Sequence, residues 1–151
     1  MPQRTILVAD DETHILNVVS IKLQNAGFNV VTAEDGAAAH TLALSEHPDL
    51  IITDYQMPLL SGLELCSKLK ANAATRETPV ILLTARGFAL TEADKSAGNI
   101  RRVIAKPFSP REVLNCVYEL LDEANSLRAA GQKGSPLDKR QDKTTGALTS
   151  G

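Results

Sequence analysis

The chain has 151 residues, enough for one domain with a real core on the usual prior of ~100–200 residues per domain. Its 43% hydrophobic content and formal charge of −2 fit a globular protein and give no bulk basicity that would make nucleic acid the main partner. Met1-Pro2-Gln3-Arg4-Thr5 runs into an apolar segment without a signal-peptide region, and no stretch approaches the ~18 apolar residues of a membrane span. A cytoplasmic location without membrane contact is expected.

Five strand-helix units follow in chain order. Ile6-Leu7-Val8-Ala9 is a short apolar run that ends at Asp10-Asp11, and a helix from about Glu12 to Asn25 follows, with Ile15, Val18, Val19 and Leu23 on its stripe and Gly27 just past its end. A second strand covers about Asn29 to Ala33. Asp35 then N-caps an Ala-rich helix that stops before His47-Pro48, because the residue before proline is pushed out of the α region. Leu50-Ile51-Ile52-Thr53 leads to Asp54. Ser61 and Glu64 form a capping box for the third helix, and Ser109-Pro110-Arg111-Glu112 repeats the pattern for the fifth, which buries Val113, Leu114, Val117, Leu120 and Leu121. Val80-Ile81-Leu82-Leu83 ends at Thr84, and Val103-Ile104-Ala105 ends at Lys106. The fourth helix, between Ala89 and Ala97, has few large apolar residues and should dock shallowly.

Beyond about Arg128 the composition turns to Gly, Ser, Thr, Lys and Gln, too polar to offset its ordering entropy, so a domain over 4–124 is expected, followed over 125–151 by the end of the last helix and a disordered tail. Five basic residues against two acidic ones give 125–151 a net +3 and leave −5 for the rest. A solvated tail is favoured over a docking segment for an acidic partner. Cys66 and Cys116 have no metal-like spacing and read as buried thiols, and His14, His40 and His47 are scattered and read as solvated.

Apolar runs separated by helices read as buried parallel strands, and open α/β sheets bind ligands beyond the carboxyl ends of their strands. Asp10, Asp11, Asp54, Thr84 and Lys106 therefore converge on one pocket. Three carboxylates, a hydroxyl and an ammonium suit Mg²⁺-assisted phosphoryl transfer onto a carboxylate, with Asp54 as the reactive group. Taken singly, a strand-end Asp is more often an N-cap and a strand-end Lys more often solvated. Four strands ending this way are not independent accidents.

Asp10-Asp11, Asp54-Tyr55-Gln56-Met57-Pro58 with Gly62, Thr84-Ala85 and Lys106-Pro107-Phe108 resemble the receiver domain of two-component response regulators over about residues 4 to 124. The resemblance implies a flavodoxin-like (βα)5 α/β sandwich with a parallel five-stranded sheet in the order 2-1-3-4-5, an order for which a member of this family is a standard example. It further implies that Asp54 is the phosphoacceptor and that Asp11, Asp54 and the Gln56 carbonyl bind Mg²⁺ (or Mn²⁺) directly while Asp10 acts through water. Thr84 and Lys106 would meet the phosphoryl oxygens, Lys106-Pro107 would be cis, and Pro58 and Gly62 would be structural. Gln56 and Arg86 resemble the variable rim that governs phosphoryl lifetime; Arg86 could shield the group, although a solvated arginine is an equal reading.

Many receivers carry an aromatic residue where this chain has Val103, whose stiff χ1 cannot perform an inward swing. The switch is then expected through Thr84, the Ala85-Arg86-Gly87-Phe88 loop and the fourth helix, with Gly87 as hinge and Phe88 as lever. The partners implied are a histidine kinase or histidine phosphotransfer protein and a downstream protein on the face of helix four, strand five and helix five; a homodimer is possible, and direct nucleic-acid contact is not expected. A phosphatase of the haloacid dehalogenase type would need an Asp two residues after the nucleophile, where Gln56 cannot shuttle a proton, so no turnover beyond self-phosphorylation and self-dephosphorylation is expected. Asp10-Asp11 would repel the phosphate of a flavin nucleotide. A pseudo-receiver should lack a pocket residue, and none is missing. The resemblance is to the stand-alone, single-domain type, with a receiver fragment of a larger regulator or hybrid kinase as the alternative.

Overall fold

The central strands are apolar along their whole length because both faces of a parallel sheet are covered. In the computed structural model, which describes residues 3–85 and 90–132, β1 (Thr5–Ala9), β3 (Leu50–Asp54) and β4 (Val80–Thr84) are buried almost throughout. The edge strands β2 (Asn29–Ala33) and β5 (Ile100–Ala105) are mostly exposed or half-buried, with one buried residue each, Ala33 and Ile104. All pairings are parallel and the order is β2-β1-β3-β4-β5, as the resemblance implied.

Register decides where the strand ends fall. Ala9 is level with both Ala33 and Thr53, Asp54 with Leu83, and Thr84 with Ala105. The residues that follow β1 and β5, together with the last residues of β3 and β4, therefore share one edge of the sheet. An irregularity between β4 and β5 pairs Val80 with Ile100 but Ile81 with Arg102, so the alignment of Thr84 with Ala105 depends on that one-residue offset.

Helices cover the sheet. α1 (Thr13–Asn25) buries Leu16, Val19, Ser20 and Leu23, while Val18 is 44% exposed. The stripe is therefore turned from the expected Ile15, Val18, Val19 and Leu23; α1 is apolar at enough positions that two faces fit the helical period, and the one carrying Ser20 is buried. Gly27 closes the helix at φ 99°, the left-handed conformation that glycine adopts without steric cost.

α2 (Gly36–Glu46) is capped by Asp35, whose Oδ1 accepts from the Ala38 amide at 2.7 Å, and ends at His47 in the left-handed region. Its Ala39 and Ala43 are fully buried against a core that includes Leu7, Ile51, Leu65 and Cys66. α3 (Gly62–Ala71) has the reciprocal Ser61–Glu64 capping box. α4 (Glu92–Lys95) is a single turn with no buried residue, the shallow element that its polar sequence predicts.

α5 (Pro110–Gln132) opens with the Ser109 hydroxyl accepting from the Glu112 amide at 3.2 Å and buries Val113 and Val117, with Leu114 half-buried. Phe28 and Tyr118 pack ring to ring at 5.9 Å. The chain divides after Tyr118 into two compact units, and the first contains the sheet and all the residues discussed below. Arg86, Gly87, Phe88 and the tail beyond 132, to which the sequence assigned roles, lie outside the described residues.

Candidate functional site

β3 delivers Asp54 to the sheet edge with only 7% of the residue exposed. Its backbone is fixed from below: the Gly62 amide donates to the Tyr55 carbonyl at 2.8 Å, and a Cβ on Gly62 would collide with the Asp54 carbonyl and crowd Leu82. The absence of a side chain at Gly62 is what lets α3 start directly beneath the end of β3. Pro58 holds the same loop through its carbonyl, which accepts from the Leu60 amide at 2.8 Å and the Gly36 amide at 3.3 Å.

Asp10 lies just past β1 and is fully buried. Its Oδ1 accepts from the Glu12 amide at 2.9 Å and so organises the start of α1, while its Oδ2 has no hydrogen-bond donor. The Lys106 ammonium is 3.0 Å from that oxygen as an ion pair without hydrogen-bond alignment. Lys106 follows β5, donates its amide to the Thr84 carbonyl at 2.7 Å, and precedes Pro107 across a cis peptide. Its Nζ also lies 3.3 Å from Asp54 Oδ1 and 2.8 Å from Glu12 Oε2. Thr84 is buried at the end of β4.

Burial pushes the Asp54 carboxyl up to about 6, reinforced by repulsion from Asp10 and, more weakly, Asp11, and the Lys106 ammonium only partly offsets this. Asp10 is likewise raised by burial, against the Glu12 amide and Lys106. Lys106 goes the other way: burial alone would lower it, but Glu12 and Asp10 outweigh burial and raise it above the ordinary lysine range. Its hydrogen bond from Lys106 holds the Glu12 carboxyl below the usual carboxylate range.

Carboxylate oxygens of Asp10, Glu12 and Asp54 lie within 4.8 Å of one another. Asp11 is exposed and lies apart from this cluster, in an open groove of about 460 Å³ lined with Tyr55, Gln56, Met57, Pro58 and Ser61. Tyr55 and Gln56 also line a cleft of about 200 Å³ that contains Glu12, Asp54, Ala85 and Lys106. Val103 faces outward on β5 at 45% exposure.

Glu12 is the site residue that the sequence reading missed. It occupies the N-cap position of α1 but makes no side-chain cap, because its carboxylate is drawn to Lys106. The available signal was a third acidic residue directly after Asp10-Asp11 with a side chain unsuited to capping.

An all-oxygen set of three clustered carboxylates, with only the one Lys106 ammonium among the described residues to neutralise them, fits a hard divalent cation such as Mg²⁺. The family pattern described as "Response regulator receiver domain" matches residues 6–118. The chain belongs to this family.

It is similar to the phosphate regulon transcriptional regulatory protein PhoB of Pseudomonas aeruginosa, 38% identical over 117 residues, which are 76% of this chain and 50% of that protein. It is also similar to the alkaline phosphatase synthesis transcriptional regulatory protein PhoP of Bacillus subtilis, 39% identical over 113 residues, 73% of this chain and 45% of the relative. The chain thus spans about half the length of these relatives. Among solved structures, the chemotaxis response regulator CheY4 of Vibrio cholerae superposes with a TM-score of 0.73 at 30% identity, covering 78% of this chain and 98% of that one. Among the described residues no helix is long and apolar enough to cross a membrane.

Proposed function

We propose that this receiver accepts a phosphoryl group on Asp54 from a phosphohistidine donor or a small acyl phosphate, and that the modification changes which protein it binds. The observation that carries this reading is the placement of Asp54 Oδ1 3.3 Å from Lys106 Nζ, in a cleft that both line and within reach of two further carboxylates. A carboxylate oxygen of Asp54 attacks phosphorus and the bond from phosphorus to the donor breaks; with phosphohistidine the electron pair stays on the imidazole nitrogen, which takes a proton from water, and with an acyl phosphate it leaves on the carboxylate oxygen. Such transfers need positioning and charge neutralisation more than covalent help.

Asp11, Asp54 and the Gln56 carbonyl would hold Mg²⁺ (Mn²⁺ as a substitute), with Asp10 acting through water and Glu12 adjacent. When bound, the ion supplies neutralisation of the equatorial oxygens and allows Asp54 to stay ionised beside Asp10. Lys106 contributes a point charge to the same oxygens, and the Thr84 hydroxyl a hydrogen bond. Gln56 offers no general acid, consistent with a module that carries a phosphoryl group without rapid turnover.

PhoB and PhoP are named transcriptional regulators and are about twice as long as the matched stretch. The −5 charge over residues 1–124 here favours a protein partner over nucleic acid for this stretch. Incubation with acetyl phosphate and Mg²⁺ followed by intact-mass measurement should show one phosphoryl adduct, absent in Asp54→Ala and without Mg²⁺. An adduct that persists in Asp54→Ala would overturn the assignment.

A further inference from the structure

Lys106 faces three carboxylates but donates an aligned hydrogen bond to Glu12, at 2.8 Å. Asp10 and Asp54 are charge partners at 3.0 and 3.3 Å. Glu12 is also the most exposed of the three, with 58% of its side chain open to solvent, against 0% for Asp10 and 9% for Asp54. The ammonium is thus shared among three carboxylates, and its shortest contact is to the most exposed of them, 2.8 Å to Glu12 against 3.3 Å to Asp54. We infer that Glu12 is a positioning residue that parks Lys106 in the resting receiver and competes with the phosphoryl group for it, a role that rests on the phosphoacceptor reading of Asp54.

The geometry sets the sign of the effect. An ammonium has three N–H donors, and a phosphoryl group on Asp54 brings new anionic oxygens into the cleft that Glu12, Asp54 and Lys106 share. To meet them Lys106 must give up its alignment on Glu12. With Glu12 itself open to solvent, water screens the pair and limits its strength, so Glu12 tunes the response and does not block it. At Glu12→Gln the amide oxygen still accepts a hydrogen bond but the competing charge is gone. Lys106 then reaches the phosphoryl oxygens at less cost.

Beryllofluoride affinity at saturating Mg²⁺, measured by calorimetry on the full chain, tests this in a double-mutant cycle. Glu12→Gln should bind the mimic ~2–5-fold more tightly than the parent, the range expected of an exposed ion pair, and the gain should vanish when Lys106 is Ala. Equal affinity of parent and Glu12→Gln would overturn the proposal. So would a gain of the same size in the Lys106→Ala background, which would reduce Glu12 to a generic negative charge. A parent that binds no beryllofluoride would refute the phosphoacceptor reading itself, which separates that failure from the failure of the latch. A second arm needs no mimic: hydrogen exchange of the Lys106 ammonium, followed by nitrogen-edited NMR, should quicken ~2–5-fold in Glu12→Gln, and an unchanged rate would show that Glu12 does not hold it.

Discussion

Asp54 Oδ1 lies 3.3 Å from the Lys106 ammonium, yet the Asp54 carboxyl is pushed up to about 6, not down. A neighbouring cation ordinarily lowers a carboxyl. Here burial and Asp10 act against it, and Lys106 divides its charge among Asp10, Glu12 and Asp54. Burial and carboxylate repulsion at this site exceed what Lys106 offsets, and a divalent cation would add the missing positive charge.

That imbalance should appear in stability. The folded-state value for Asp54 exceeds the ordinary 3.8, so between about pH 4 and pH 6 the folded protein holds the proton more firmly than the unfolded chain. Its contribution is fully present below about pH 4 and is lost as pH rises through about 6. Asp54→Asn removes this cost and, with Mg²⁺ chelated, should stabilise the protein at pH 7.5 by up to about 3 kcal/mol, the free energy that corresponds to raising a carboxyl from 3.8 to about 6. Urea unfolding at pH 7.5 and pH 4 checks it; the gain should shrink at the lower pH and in saturating Mg²⁺.

The contact between Gly62 and the Asp54 carbonyl makes a second prediction. Gly62→Ala forces α3 away from the end of β3, with an overpacking cost of about 1–3 kcal/mol. Because the strain falls on the strand end that carries the proposed phosphoacceptor, phosphorylation by acetyl phosphate should slow as well. Denaturation and single-turnover mass measurements together check both effects; a variant of parental stability and rate would contradict this role of Gly62.

The strand ends were legible because buried parallel strands read as unbroken apolar runs, so Asp10, Asp54, Thr84 and Lys106 could be placed on one edge before any register was known. Asp35, Ser61 and Ser109 cap their helices as their side chains dictate. The face of α1 was not legible: Ile15, Leu16, Val18, Val19, Ile21 and Leu23 offer more apolar positions than one face can bury, and packing left Val18 and Ile21 exposed. Glu12 was missed for a different reason. Its partner is 94 residues away, and only the tertiary fold brings the two side chains together.

α4 gives a third prediction. A single turn with no buried residue has little to hold it closed, so its amides should exchange faster than those of α3 or α5 in the resting protein. Since Val103 is aliphatic and outward-facing, the response to beryllofluoride should fall on 90–98 more than on β5. Amide exchange by mass spectrometry checks this, and a change confined to Arg102–Lys106 would contradict it.

The most direct measurement of the central claim is to trap the modified residue. After reaction with acetyl phosphate and Mg²⁺, borohydride reduces an aspartyl phosphate to homoserine, which peptide mass spectrometry locates. Homoserine at position 54, dependent on Mg²⁺, is the predicted result; reduction at Asp10 or Asp11 with Asp54 untouched would contradict it.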